Sequence, residues 1–108
     1  MKRYRVRIAD QAGHDLADVF EYIAAKDSAE AAWRVFDELE QRILELDEQA
    51  ERGNYLPELL ELGIKAFREV HLKPYRIIYE VIGSQVIVLA CLDGRRDMQS
   101  LLERRLLR

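Results

Sequence analysis

The residues best suited to chemistry are cationic and fall late in the chain: Arg68, His71, Lys73, Arg76, Arg95 and Arg96, with Tyr75 among them. Guanidinium groups bind phosphate oxygens bidentately and stabilise charge developing on a phosphoryl group. A convergent set of them would therefore suit phosphodiester chemistry or a polyanionic partner. Arg76 is the most informative, because it interrupts the apolar run Tyr75-Arg76-Ile77-Ile78-Tyr79. A bare guanidinium there would be costly, so it must reach a carboxylate, water or a ligand phosphate. Glu80 or an acidic helix would supply a purely structural partner. Arg95-Arg96 follows Gly94, where the two side chains either bind phosphate or form a solvated turn with Asp97 as local partner.

Other chemistries lack their residues. His14, His71 and Cys91 have no zinc-ligand spacing, and no Gly-rich phosphate loop or Ser/His/Asp constellation can be assembled, so neither a metal nor a cofactor is expected. Cys91 lies inside an apolar run and is expected to pack as a small hydrophobe. The many carboxylates recur at the spacing of a solvated helical face.

The elements that must position these side chains follow from periodicity. Tyr4, Val6 and Ile8 alternate with Arg3, Arg5 and Arg7, the pattern of a half-buried strand with a cationic side. Leu16, Val19, Phe20 and Ile23 form a helical stripe. Asp27 and Glu30 have the spacing of a capping box opening a second helix. Ala32, Val35, Phe36, Leu39, Ile43 and Leu46 carry that helix toward Gly53-Asn54, a length above about 20 residues. Residues 55–63, with Pro57, read as a connector holding at most one helical turn. Phe67–Leu72, Tyr75–Ile82 and Val86–Leu92 read as three strands joined by turns at Lys73-Pro74 and Gly83-Ser84. Met98, Leu101, Leu102 and Leu106 suggest a short final helix. Strand parity places Arg68 with Val70 and Leu72, and Glu69, His71 and Lys73 on the other side.

The fold expected is therefore α+β: a β-α-α-β-β-β order and a short C-terminal helix, with a helical hairpin packed on one face of an antiparallel sheet. A chain of 108 residues, 49% hydrophobic and 34% charged, suits one globular domain over residues 1–108. No apolar run approaches the roughly 20 residues that cross a bilayer, so no membrane partner and a cytoplasmic location are expected. The net charge of -3 is unevenly spread. Residues 1–12 carry four basic and one acidic residue, 13–64 four and fourteen, and 65–108 nine and five. Basic ends around an acidic middle either meet a polyanion or neutralise the middle.

The element order, together with Pro57-Glu58-Leu59, Lys73-Pro74-Tyr75-Arg76-Ile77-Ile78-Tyr79-Glu80-Val81 and Gly94-Arg95-Arg96-Asp97, resembles the RelE/ParE toxin superfamily over about residues 4–103. The resemblance implies the toxin of a type II toxin-antitoxin pair, held by a cognate antitoxin encoded by an adjacent gene. That antitoxin would lie along the hairpin and sheet, on Phe20, Trp33, Phe36, Leu101 and Leu102. Trp33 in so apolar a helix otherwise belongs to the core. RelE-like members cleave messenger RNA in the ribosomal A site; ParE-like members poison DNA gyrase. By resemblance Arg76 and Arg96, or Arg95, match the arginines of the nuclease, with Arg68 or His71 replacing lysines of the preceding strand. Glu69 stands where that nuclease has a cation, and Leu102 where it has a tyrosine. With a pI of 5.4, a poor match to ribosomal RNA, the balance tips toward gyrase inhibition. Ribosome-dependent cleavage is the alternative, and an inactive binding module of this fold a further one.

Overall fold

The computed structural model describes residues 2–107. Strand β1 (Arg5–Ile8) leads into the hairpin of α1 (Asp10–Lys26) and α2 (Ala29–Leu44). A 3-10 turn (Glu45–Asp47), the two-residue strand β2 (Asn54–Tyr55) and the single turn α3 (Pro57–Leu60) follow. Strands β3 (Arg68–Leu72), β4 (Tyr75–Ile82) and β5 (Gln85–Asp93) then form a meander, and α4 (Met98–Leu106) closes the chain. The sheet order is β1-β5-β4-β3-β2.

The two expected turns fall at Lys73-Pro74 and Gly83-Ser84, and they fix the register. With Leu72 opposite Tyr75, His71 faces Arg76 and Glu69 faces Ile78. The sheet is antiparallel except at one edge, where β1 runs parallel to β5. The alternation in residues 4–8 is the same for either direction, so the sequence carries no signal of that reversal. β2, too short for any periodicity, is an unexpected fifth strand held only by Asn54–Glu69 and Tyr55–Arg68 pairing.

Both faces of the sheet are covered, which explains the nearly continuous apolar sequence of β4 and β5. The hairpin lays Leu16, Leu39 and Ile43, and the 3-10 turn after it Leu46, on Ile77, Tyr79, Val86 and Val88. On the opposite face Leu56, Leu59, Met98, Leu101 and Leu102 cover Ile78, Ala90 and Leu92. Two boundaries differ from the periodic reading. The cap of α2 is Ser28, whose Oγ accepts from the Ala31 N–H at 3.0 Å, while Asp27 closes α1 by donating its N–H to Ile23. The helix also stops at Leu44. Leu46 and Ala50 remain buried beyond it, so their spacing imitated a longer helix, but the Asp47 carbonyl turns to accept the Tyr4 N–H at 2.7 Å.

Gly53 is where this irregular stretch meets the sheet. Its N–H donates to the Tyr79 hydroxyl at 3.0 Å, and that hydroxyl donates to the Ala50 carbonyl at 2.7 Å. A Cβ on Gly53 would stand 2.5 Å from the Glu69 carbonyl oxygen and 2.6 Å from the Tyr79 hydroxyl. Gly53→Ala should therefore destabilise by about 1–3 kcal/mol, as overpacking does. Gly13→Ala, in α1 with open space around the new methyl, should stabilise by about 0.5–1 kcal/mol. Urea unfolding of the two variants checks the opposite signs.

Candidate functional site

Arg76 opens the site because β4 directs its side chain to the face away from the hairpin, past Gly94. A Cβ on Gly94 would lie 3.0 Å from the Arg76 Cδ, so this close approach requires a glycine. The guanidinium meets two carboxylates. Its Nε donates to Glu69 Oε1 at 2.5 Å and its Nη2 to Glu69 Oε2 at 3.1 Å. Nη1 and Nη2 also donate to Glu58, each at 2.8 Å. Glu58 sits in the first turn of α3, behind Pro57, and Glu69 is on β3 with 2% exposure. Glu69 also accepts from Asn54 Nδ2 at 3.0 Å and lies 3.2 Å from His71 Nε2. The hydrogen bonds from Arg76 hold the Glu58 carboxyl below its ordinary range, and those carboxylates raise the Arg76 guanidinium above its own.

One cation between two carboxylates gives this centre a net negative charge while His71 is neutral. Such a centre repels phosphate, and Arg76 can bind one only by surrendering bonds to Glu58 or Glu69. The expected structural role of Arg76 is thus filled by Glu58, on the helical turn α3, and by Glu69 on β3, and not by Glu80. Neither partner was singled out from sequence, although the turn at Lys73-Pro74 implies the register that makes Glu69 a diagonal neighbour of Arg76.

The remaining cations do not converge on Arg76. Arg95 is exposed and folds back on Asp93, at 3.0 and 2.6 Å, which holds that carboxyl below its ordinary range. Asp97 is not its partner: it caps α4, accepting from the Ser100 N–H at 3.3 Å. Arg96 lines a groove of about 290 Å³ between α1 and the end of β5, with Asp15, Asp18, Tyr22, Tyr75 and Asp93. Arg68 shares the hairpin side, where it donates to the carbonyls of Glu51 and Gly53. His71 is half exposed, its carbonyl accepting from Arg42, and Lys73 is exposed in the turn.

The aromatic residues of the hairpin form a second candidate surface. Phe20, Trp33 and Phe36 meet edge to face, with ring centroids 4.7, 5.8 and 6.4 Å apart. Trp33 is 56% exposed rather than a core residue, and Tyr22 and Leu44 are exposed on the same two helices. Leu101 and Leu102 are placed differently: both are buried beneath α4, and no partner touches them while that helix is docked. Cys91 is buried as expected, and burial pushes its thiol up to about 12. Among the described residues no group of three or more His, Cys, Asp or Glu side chains is arranged to hold a metal ion. No helix among them is long and apolar enough to cross a membrane.

A helical hairpin on one face of a five-stranded sheet, with a short C-terminal helix on the other, is the architecture of the RelE/ParE superfamily of small toxins. Residues 6–98 match the family described as ParE toxin of type II toxin-antitoxin system, parDE, and the chain belongs to that family. Two solved structures share the fold. A chain of the chromosomal ParDE system from P. aeruginosa superposes with a TM-score of 0.69 at 16% identity, covering 82% of this chain and 94% of that one. The E. coli toxin RelE in its free state, carrying arginine-to-alanine substitutions, superposes with a TM-score of 0.63 at 18% identity, covering 97% and 99%. No match was found among curated protein sequences.

Proposed function

We propose that this type II toxin acts in the cytoplasm by inhibiting DNA gyrase through a protein-binding surface, without cleaving RNA, and that a cognate antitoxin from the adjacent gene neutralises it. The carrying observation is the clamp on Arg76: the residue that matches the nuclease arginine lies between Glu58 and Glu69, at a centre of net negative charge. Leu102, at the position of the nuclease tyrosine, is fully buried and has no group for proton transfer. Membership of the parDE toxin family supports the same reading. Purified protein at micromolar concentration is expected to block supercoiling by gyrase in vitro. It is expected to leave messenger RNA on programmed ribosomes intact, as read by primer extension. Cleavage that disappears in Arg96→Ala, with gyrase unaffected, would establish the ribosomal alternative instead.

The antitoxin surface is assigned to Phe20, Trp33 and Phe36, which are already packed on one another and so lose little freedom when covered. Leu101 and Leu102 join that surface only if α4 is displaced. Trp33→Ala should weaken the complex by about thirtyfold or more, the effect of a central aromatic anchor, while changing the stability of the free toxin little. Titration calorimetry against the antitoxin, with unfolding of the free protein beside it, checks both halves.

A further inference from the structure

A group of cations without salt bridges among the described residues lies at the other end of the sheet from Arg76. There a cleft of about 290 Å³ opens between the start of β1 and the β2–β3 pair, with Val81 and Gly83 at its base. Lys2 and Tyr4 form one wall; Tyr55, Lys65 and Arg68 form the other. Val81 is five residues along β4 from Arg76, roughly 16 Å away.

Charge balance separates the two ends. Lys2, Lys65 and Arg68 line the cleft with a single carboxylate, Glu51, and none of the three makes a salt bridge among the described residues. Arg68 is half-buried and fixed: it donates to the Gly53 carbonyl at 2.9 Å and to the Tyr55 hydroxyl at 3.2 Å, which orients the guanidinium without neutralising it. Its Cζ lies 4.5 Å from the centroid of the Tyr55 ring, and Lys2 Nζ stands 5.0 Å from that of Tyr4. Each wall therefore presents a full positive charge beside an aromatic ring.

We infer that this cleft binds single-stranded nucleic acid, with a base stacked against the Tyr55–Arg68 pair and flanking phosphates met by Lys2 and Lys65. Cations alternating with aromatic platforms are the arrangement that holds a single strand without reading its sequence, because every base has a π-face. An acidic peptide would satisfy the lysines and leave the rings unused. The inference needs no nuclease group, and it stands whether or not gyrase is the target.

The test is binding of a labelled short oligothymidylate to the whole protein, followed by anisotropy across a salt series. Micromolar affinity is expected at low salt, falling about fivefold or more in Lys2→Gln/Lys65→Gln. Loss of two phosphate contacts should reduce the magnitude of the log–log salt slope by about 1.4. Both lysines are exposed, so the variant keeps its fold. Lys26→Gln/Arg34→Gln, which removes equal charge from exposed positions on the hairpin outside the cleft, should leave affinity within about twofold. Absence of binding overturns the inference, as does an equal loss in the two double variants. So does a polyglutamate of the same length binding as tightly as the oligonucleotide.

Discussion

Arg76→Ala is expected to lower the unfolding free energy by about 3–5 kcal/mol, a large part of the roughly 5–15 kcal/mol that a domain possesses. The loss does not arise chiefly from Glu58, whose side chain is 22% exposed and can turn to water. It arises from Glu69, which is 2% exposed and would keep only Asn54 and His71 as partners for a buried negative charge. Removing one partner of a buried pair costs far more than the pair contributes over an apolar replacement. Arg76→Met/Glu69→Leu should therefore recover most of what Arg76→Ala loses. Urea unfolding of the three proteins decides the matter, and a loss below about 1 kcal/mol in the single variant would show that Glu69 is relieved some other way.

The clamp also has an acid limb. Because Arg76 holds the Glu58 carboxyl below its ordinary 4.5, the stability this carboxylate contributes is complete above that value. It is lost as pH falls through the lower folded value. The urea midpoint of the wild type should accordingly decline below about pH 4.5, and that part of the decline should be missing in Glu58→Gln. There is a functional corollary. A toxicity assay on Arg76→Ala confounds chemistry with folding, since an unstable toxin is removed by proteolysis in the cell. Arg96→Ala, exposed and outside the clamp, is the informative arginine variant for the nuclease question.

What was legible in the sequence were the features that repeat. Runs rich in β-branched and aromatic residues, set off by turn signals, placed β3, β4 and β5 to within a residue or so, and the 3.6-residue stripe placed α1 and the body of α2. What was not legible depended on pairing between distant segments. Residues 4–8 could not declare a parallel partner, and Asn54-Tyr55 became a strand only because Glu69 and Arg68 offered an edge. Among site residues, the need of Arg76 for a partner was plain from its apolar neighbours. That the partners are Glu58 and Glu69 required α3 to sit over β3 and β4. Trp33 was weighed as core because a large aromatic at helical spacing normally is; it is instead 56% exposed, resting edge to face on Phe20 and Phe36.

Arg105→Ala is expected to free α4 while leaving the rest of the fold in place. β1 pairs with β5 only through Val88, so the outer edge of β5 is bare beyond that residue. The register break between Ile78 and Tyr79 leaves Leu89 unpaired on β5, and its carbonyl accepts from Arg105 Nη2 at 3.1 Å. Asp15 of α1 accepts the Cys91 N–H at 3.0 Å and binds the Arg105 guanidinium at 2.9 and 3.2 Å. A guanidinium donor and a carboxylate acceptor thus take the places that a neighbouring strand's N–H and C=O would fill, and they fasten α4 to α1 across the edge. Partly buried, charge-assisted bonds of this kind contribute about 1.5–3 kcal/mol, so amide exchange in Met98–Leu106 should accelerate by roughly ten- to a hundredfold. Exchange in β4, which reports global unfolding, should accelerate by about the same factor, because unfolding breaks the pair as well. Asp15→Ala should reproduce the pattern, because it unties the same helix from the other side. No acceleration in α4 would mean that Leu101 and Leu102 alone hold the helix down. The distinction bears on the antitoxin. If the pair is the fastening, an antitoxin that reaches Leu101 and Leu102 must first break it, and Arg105→Ala should bind such an antitoxin more tightly; one confined to Phe20, Trp33 and Phe36 should not register the change.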